Sequence, residues 1–147
     1  MVEFNSILST EEALIAVKHD GSALRFVPDK LKTEAVCAKA VESDGDALRF
    51  VPDELKTEAV VLKAVERDGN MLQYVPDRLK TESVVLAAVE RNGYALRYVP
   101  DQLKTEAVCT KAVESDDDAL QYVFEKSLFI RLAEKFEIPI DIKEDEQ

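Results

Sequence analysis

The sequence predicts an all-α fold, an α-solenoid of stacked 24-residue helix–turn–short-helix repeats with divergent terminal caps. Three observations lead there. The stretch VPDELKTEAV at Val51–Val60 recurs as VPDKLKTEAV at Val27–Val36, VPDRLKTESV at Val75–Val84 and VPDQLKTEAV at Val99–Val108, a period of 24 residues. A unit that short cannot bury its own apolar face, so copies must stack. Within a unit, Val60, Val61, Ala64 and Val65 fall at i, i+3 and i+4 spacing, one face of a helix. Nothing inside the repeats alternates like a strand.

The chain divides into a degenerate N-terminal capping repeat (1–26), four repeats (27–122), a C-terminal capping helix (123–137) and an acidic tail (138–147). The first copy, STEEALIAVKHDGSALRF at Ser9–Phe26, aligns with KTEAVCAKAVESDGDALRF at Lys32–Phe50. In Val51–Tyr74, Thr57 is a helix N-cap and Glu58 sits on the positive end of the helix dipole. Gly69 is expected to end that helix as a left-handed C-cap, and Asp68 to cap the next helical segment. Met71, Leu72, Tyr74 and Val75 make that second, short apolar helix, which Pro76 stops. Pro52–Leu55 reads as a single turn, of 3₁₀ type.

The aromatic column Phe26, Phe50, Tyr74, Tyr98 and Tyr122 is expected to pack between repeats. Asp117 replaces the repeat glycine, so its turn is expected to be strained or rearranged. Phe124, Leu128, Leu132 and Phe136 recur every four residues, an amphipathic capping helix. Ile138, Ile140 and Ile142 alternate as a strand would.

In Glu58–Val65, Asp68–Leu72 and Leu79-Lys80 the chain resembles the bacterial and protist repeat family called domain of unknown function 4116. That family pairs an EVVLxAVxxNGxAL segment with an LK turn. The likeness recurs in every repeat over about Ser9–Tyr122, with VPD standing where the family has a more variable segment. It implies a helical repeat and lends no active site.

Composition narrows the function. A formal net charge of −11 argues against duplex nucleic acid and anionic membranes, which select basic surfaces. No apolar run approaches the roughly 18 residues of a membrane span. MVEFNSILSTEEAL lacks the basic and apolar regions of a signal peptide, so a cytoplasmic location is expected, with non-classical export open. Cys37 and Cys109 are three repeats apart, roughly 30 Å at helix-packing spacing, too far for a disulfide or a shared zinc. His19, the one histidine, stands near a helix end. The aspartates around Gly45 and at Asp116–Asp118 lack calcium-loop spacing and read as turn and capping residues. No nucleophile, base or metal set is visible, so no enzyme and no cofactor are expected.

Binding is expected on the columns that stacking creates. Asp29, Asp53, Asp77 and Asp101 with Lys32, Lys56, Lys80 and Lys104 read as a solvated, self-neutralising face. Lys39, Lys63, Arg67, Arg91 and Lys111 share one helix face and form a basic stripe on an acidic molecule, suited to an acidic protein segment, unless the column Glu42, Glu66, Glu90 and Glu114 pairs with it. Tyr94 replaces small polar residues in its column and reads as an exposed aromatic anchor, with Arg91 and Arg97 nearby. The expected partner is another protein and the expected state a monomer. A nucleic-acid or anionic-lipid binder using the stripe, and a purely architectural segment, are the alternatives.

Overall fold

Each long helix of the repeats begins on a hydroxyl that satisfies its free N–H groups. The computed structural model describes residues Ser9–Asp141. The Oγ atoms of Ser9, Thr33, Thr57, Thr81 and Thr105 accept the N–H three residues on, at 3.2–3.4 Å. The helices capped in this way are α1 (Thr10–His19), α2 (Glu34–Ser43), α3 (Glu58–Arg67), α4 (Glu82–Arg91) and α5 (Glu106–Ser115). Each carries glutamate in its first turn, on the positive end of the dipole.

All five end on an extended Asp or Asn. The φ of Asp20, Asp44, Asp68, Asn92 and Asp116 lies between −144° and −155°. Its side chain accepts the N–H two residues on, at 2.9–3.0 Å, and a six-residue 3₁₀ helix starts there. These are Gly21–Phe26, Gly45–Phe50, Gly69–Tyr74, Gly93–Tyr98 and Asp117–Tyr122. Four of them run into proline and then a three-residue 3₁₀ turn, the first being Asp29–Leu31. Each short apolar helix is thus 3₁₀ in form, and no strand occurs among the described residues.

Long helix packs on long helix and 3₁₀ helix on 3₁₀ helix, giving two layers with one continuous core between them. Val60, Val61, Ala64 and Val65 and their counterparts in α2, α4 and α5 are buried, and Leu24, Leu48, Leu72 and Leu96 are fully so. Each such valine or leucine contributes about 1.5–3 kcal/mol on burial. Cys37 and Cys109 are free thiols inside this core, and burial pushes both up in pKa.

Gly69 is not a left-handed cap. No described glycine has positive φ, because the extended Asp68 already turns the chain. Glycine is there for close approach: a Cβ on Gly69 would lie 2.2 Å from the Ala88 carbonyl oxygen of the next helix, and on Gly93 2.2 Å from that of Ala112. The expected strain at Asp117 is also absent. Asp116 has φ −155° and ψ 115°, the conformation of its counterparts, and Asp117 is exposed. No further repeat stacks its long helix over that position, so a side chain fits.

Of the Asp–Lys columns, which pair as expected, the aspartates are solvated and the lysines are not. The lysine side chains are only 7–12% exposed. Lys56 Nζ donates to Asp53 Oδ1 at 2.9 Å and to the Tyr74 carbonyl, at the end of the next 3₁₀ helix, at 2.8 Å. Lys32 and Lys104 make the same reach to the Phe50 and Tyr122 carbonyls, at 3.3 and 3.2 Å. The lysine stem passes over apolar surface and its head joins the three-residue turn to the end of the 3₁₀ helix that follows.

The array closes with α6 (Lys126–Lys135), which buries Leu128, Leu132 and Ala133. Arg131 holds it to α5 through both Glu106 oxygens, at 3.1 and 3.3 Å. Phe124 lies outside the helix rather than on its buried stripe. It is 75% exposed, with Lys104 Nζ 4.2 Å from its ring centre. Ile138 and Ile140 pack against the core without forming a strand. Ile142, the rest of the acidic tail and the start of the N-terminal capping unit lie outside the described residues.

Candidate functional site

The expected basic stripe runs along the C-terminal halves of the long helices, and stacking gives its members different duties. Arg67 Nη1 donates to the Glu42 carbonyl of the preceding helix at 2.6 Å, and Arg91 Nε to the Arg67 carbonyl at 3.1 Å. Ser43 and Ser115, in the same column, donate to the Lys18 and Glu90 carbonyls at 3.5 and 3.4 Å. The column therefore supplies hydrogen bonds to carbonyls that a helix end leaves open.

The lysines meet the glutamate column. Lys39 lies 3.2 Å from Glu42 on its own helix, and Lys111 lies 3.5 Å from Glu90 on the preceding one. The Lys39 hydrogen bond, then the charges of Lys39, Lys63 and Arg67, hold the Glu42 carboxyl below its ordinary pKa. Lys63 is exposed and lines an open groove of about 220 Å³ with Glu42, Glu66 and Arg67. A second groove of about 210 Å³ lies between Glu90, Lys111, Glu114 and Ser115.

Arg67, Asp68, Arg91, Asn92, Gly93, Ser115 and Asp116 line a trough of about 420 Å³, which shares Arg67 with the first groove and Ser115 with the second. Asp68 and Asp116 were legible in sequence as caps, and Asn92 fills the same place in its repeat. Their place in the trough was not, because it depends on neighbouring repeats bringing three helix ends side by side.

Tyr94 and Arg97 lie apart from the trough, on the 3₁₀ layer. Tyr94 is half-buried rather than a free aromatic. Its hydroxyl donates to Asp118 Oδ2 at 3.0 Å, and its ring meets Tyr122 edge-on with centres 6.1 Å apart. The Asp118 hydrogen bond, with burial, raises the Tyr94 pKa. Arg97 stacks over Tyr98 at 4.6 Å and hydrogen-bonds its hydroxyl. Arg25 on Phe26 and Arg49 on Phe50 repeat that stacking at 4.5 and 4.9 Å. That recurrence was readable as R-F, R-F and R-Y at one repeat position.

His19 is exposed at the end of α1. Among the described residues no group of three or more His, Cys, Asp or Glu is placed to hold a metal ion. No described helix is long and apolar enough to cross a membrane.

The family model described as Domain of unknown function (DUF4116) matches residues 11–56, 58–104 and 81–128. Each match spans about two of the structural units, and consecutive matches overlap or abut. The chain belongs to this family. The domain of unknown function 4116 is here a pair of stacked units, each a long helix, a 3₁₀ helix and a 3₁₀ turn. No curated protein and no solved structure matches the chain.

Proposed function

We propose that this chain is a non-enzymatic protein-interaction module. It presents the C-terminal ends of its long helices to another protein. The observation that supports this most directly is the Arg67–Arg91 trough, which shares a lining residue with each of two smaller grooves. Stacking fixes the backbone, and hydrogen bonds to the preceding helix fix both arginines, so docking orders little that is not already ordered. The module acts as a cytoplasmic monomer, and delivery by a non-classical export route would make it an effector.

The test is affinity capture from source and host lysates, wild type against Lys63→Glu/Arg67→Glu/Arg91→Glu, with thermal melts of both. A partner retained by the wild type and lost by a folded triple variant supports the reading. Capture unaffected by the substitutions removes this face. Retention of nucleic acid or lipid, with affinity collapsing steeply in salt, replaces the reading with the polyanion alternative. No specific partner from any source leaves the architectural one.

A further inference from the structure

Arg67 and Arg91 carry more hydrogen-bonding capacity than the fold uses. Among the described residues each guanidinium makes one hydrogen bond, Arg67 through Nη1 and Arg91 through Nε. A guanidinium has five N–H donors in a planar fork, so one bond orients it and the rest stay available. Arg91 keeps both Nη groups, the end of the fork that takes a carboxylate with two parallel bonds. Asn92 commits its Oδ1 to the Tyr94 N–H, which leaves its NH₂ as a neutral donor in the same trough.

The trough's own charges select among anions. Arg67 and Arg91 are matched by Asp68 and Asp116 in its lining. One oxygen of each carboxylate is held by the N–H of Asn70 or Asp118. A site with two cations, two anions and a chain of net charge −11 around it offers no field for a polyphosphate or a lipid surface. A single carboxylate needs oriented donors rather than a field, and those are present.

Spacing narrows the ligand further. Stacked helices lie about 10 Å apart, and Arg67 and Arg91 are the same residue of neighbouring helices, each bonded to a carbonyl of the helix before it. In a polyproline-II segment, residues i and i+3 share a face about 9 Å apart. We infer that the Arg67–Arg91 trough docks an extended acidic segment of a partner protein, with carboxylates three residues apart taking one guanidinium each. The inference rests on the protein-binding reading and gives the partner's docking segment a chemistry.

The experiment is an NMR titration of the ¹⁵N-labelled full chain with the capped peptide Glu-Pro-Pro-Glu. Capped Glu-Glu-Pro-Pro, capped Gln-Pro-Pro-Gln, inorganic phosphate and phosphatidylserine vesicles form the other arms. The expected result is saturable shifts of the Arg67 and Arg91 Nε–H signals with Glu-Pro-Pro-Glu, about fivefold weaker affinity for the adjacent-glutamate peptide, and no response to the glutamine peptide. Arg91→Lys keeps the charge and a donor for the Arg67 carbonyl, so it should keep the fold, confirmed by its melt, and weaken the peptide about tenfold. Arg91→Lys binding as the wild type does, shifts confined to other residues, or a stronger response to phosphate or vesicles overturns the inference. A lysate partner that excess Glu-Pro-Pro-Glu does not displace also overturns it, while leaving the protein-binding reading intact.

Discussion

Replacing Lys56 with Met removes the donor that joins Asp53 to the Tyr74 carbonyl, in a side chain only 7% exposed. The carbonyl loses a charge-assisted partner, and the expected loss is about 1–3 kcal/mol by urea denaturation. Lys63→Met, at an exposed position of the same helical array, should change stability by less than about 0.5 kcal/mol. Equal effects would mean that the lysine column does not hold the turns to the 3₁₀ helices. The same contact sets a pH dependence. The Lys56 hydrogen bond, then its charge, hold Asp53 below the ordinary carboxylate pKa. The stability this gives is complete above the unfolded pKa, about 4, and is lost as pH falls through the lower folded value. Asp53→Asn should therefore flatten the acid limb of a melting-temperature profile relative to the wild type. The Asp–Lys columns were visible in sequence, but not as a clamp. Three-residue spacing shows that the pair can meet, whereas the carbonyl it reaches lies 18 residues on.

Repeat elements read well from sequence where the signal is local. The threonine caps, the glycine or aspartate turn and the proline stop each concern residues within a few positions of one another, and they placed the helices. The role of glycine is not legible in one repeat, because its cause is not local. The left-handed region is one reason for glycine, and the closeness of the next helix is another that one repeat cannot reveal. Gly69→Ala should cost about 1–3 kcal/mol from overpacking against the Ala88 carbonyl. Gly45→Ala meets nothing nearer than Arg67 Cβ at 3.3 Å and should be milder, within about 1 kcal/mol. Comparable losses at both sites, measured by denaturation, would contradict the close-approach account. For the terminal cap, Leu132→Ala should cost about 2–4 kcal/mol. Phe124→Ser should cost less than about 1 kcal/mol, since a cation–π contact at an exposed ring is all that it loses.

Across the whole molecule, the period alone implied a stack, and the stack implied columns. Which columns face a partner was not legible. Lys39, Lys63, Arg67, Arg91 and Lys111 look alike as a stripe, yet Arg67 and Arg91 also hydrogen-bond the preceding helix, Lys39 and Lys111 pair with glutamate, and Lys63 edges a groove. Tyr94 and Arg97 belong to the other layer. Those distinctions come from distances between repeats, which a repeat sequence does not encode position by position. The most direct measurement is therefore a hydrogen-exchange footprint of the chain with a captured partner bound. Docking on the helix ends predicts new protection at the C-terminal turns of α3, α4 and α5 and at the caps Asp68, Asn92 and Asp116, with the three-residue turns from Asp29 to Leu103 unchanged. Protection centred on those turns, or on Tyr94 and the 3₁₀ layer, would contradict it.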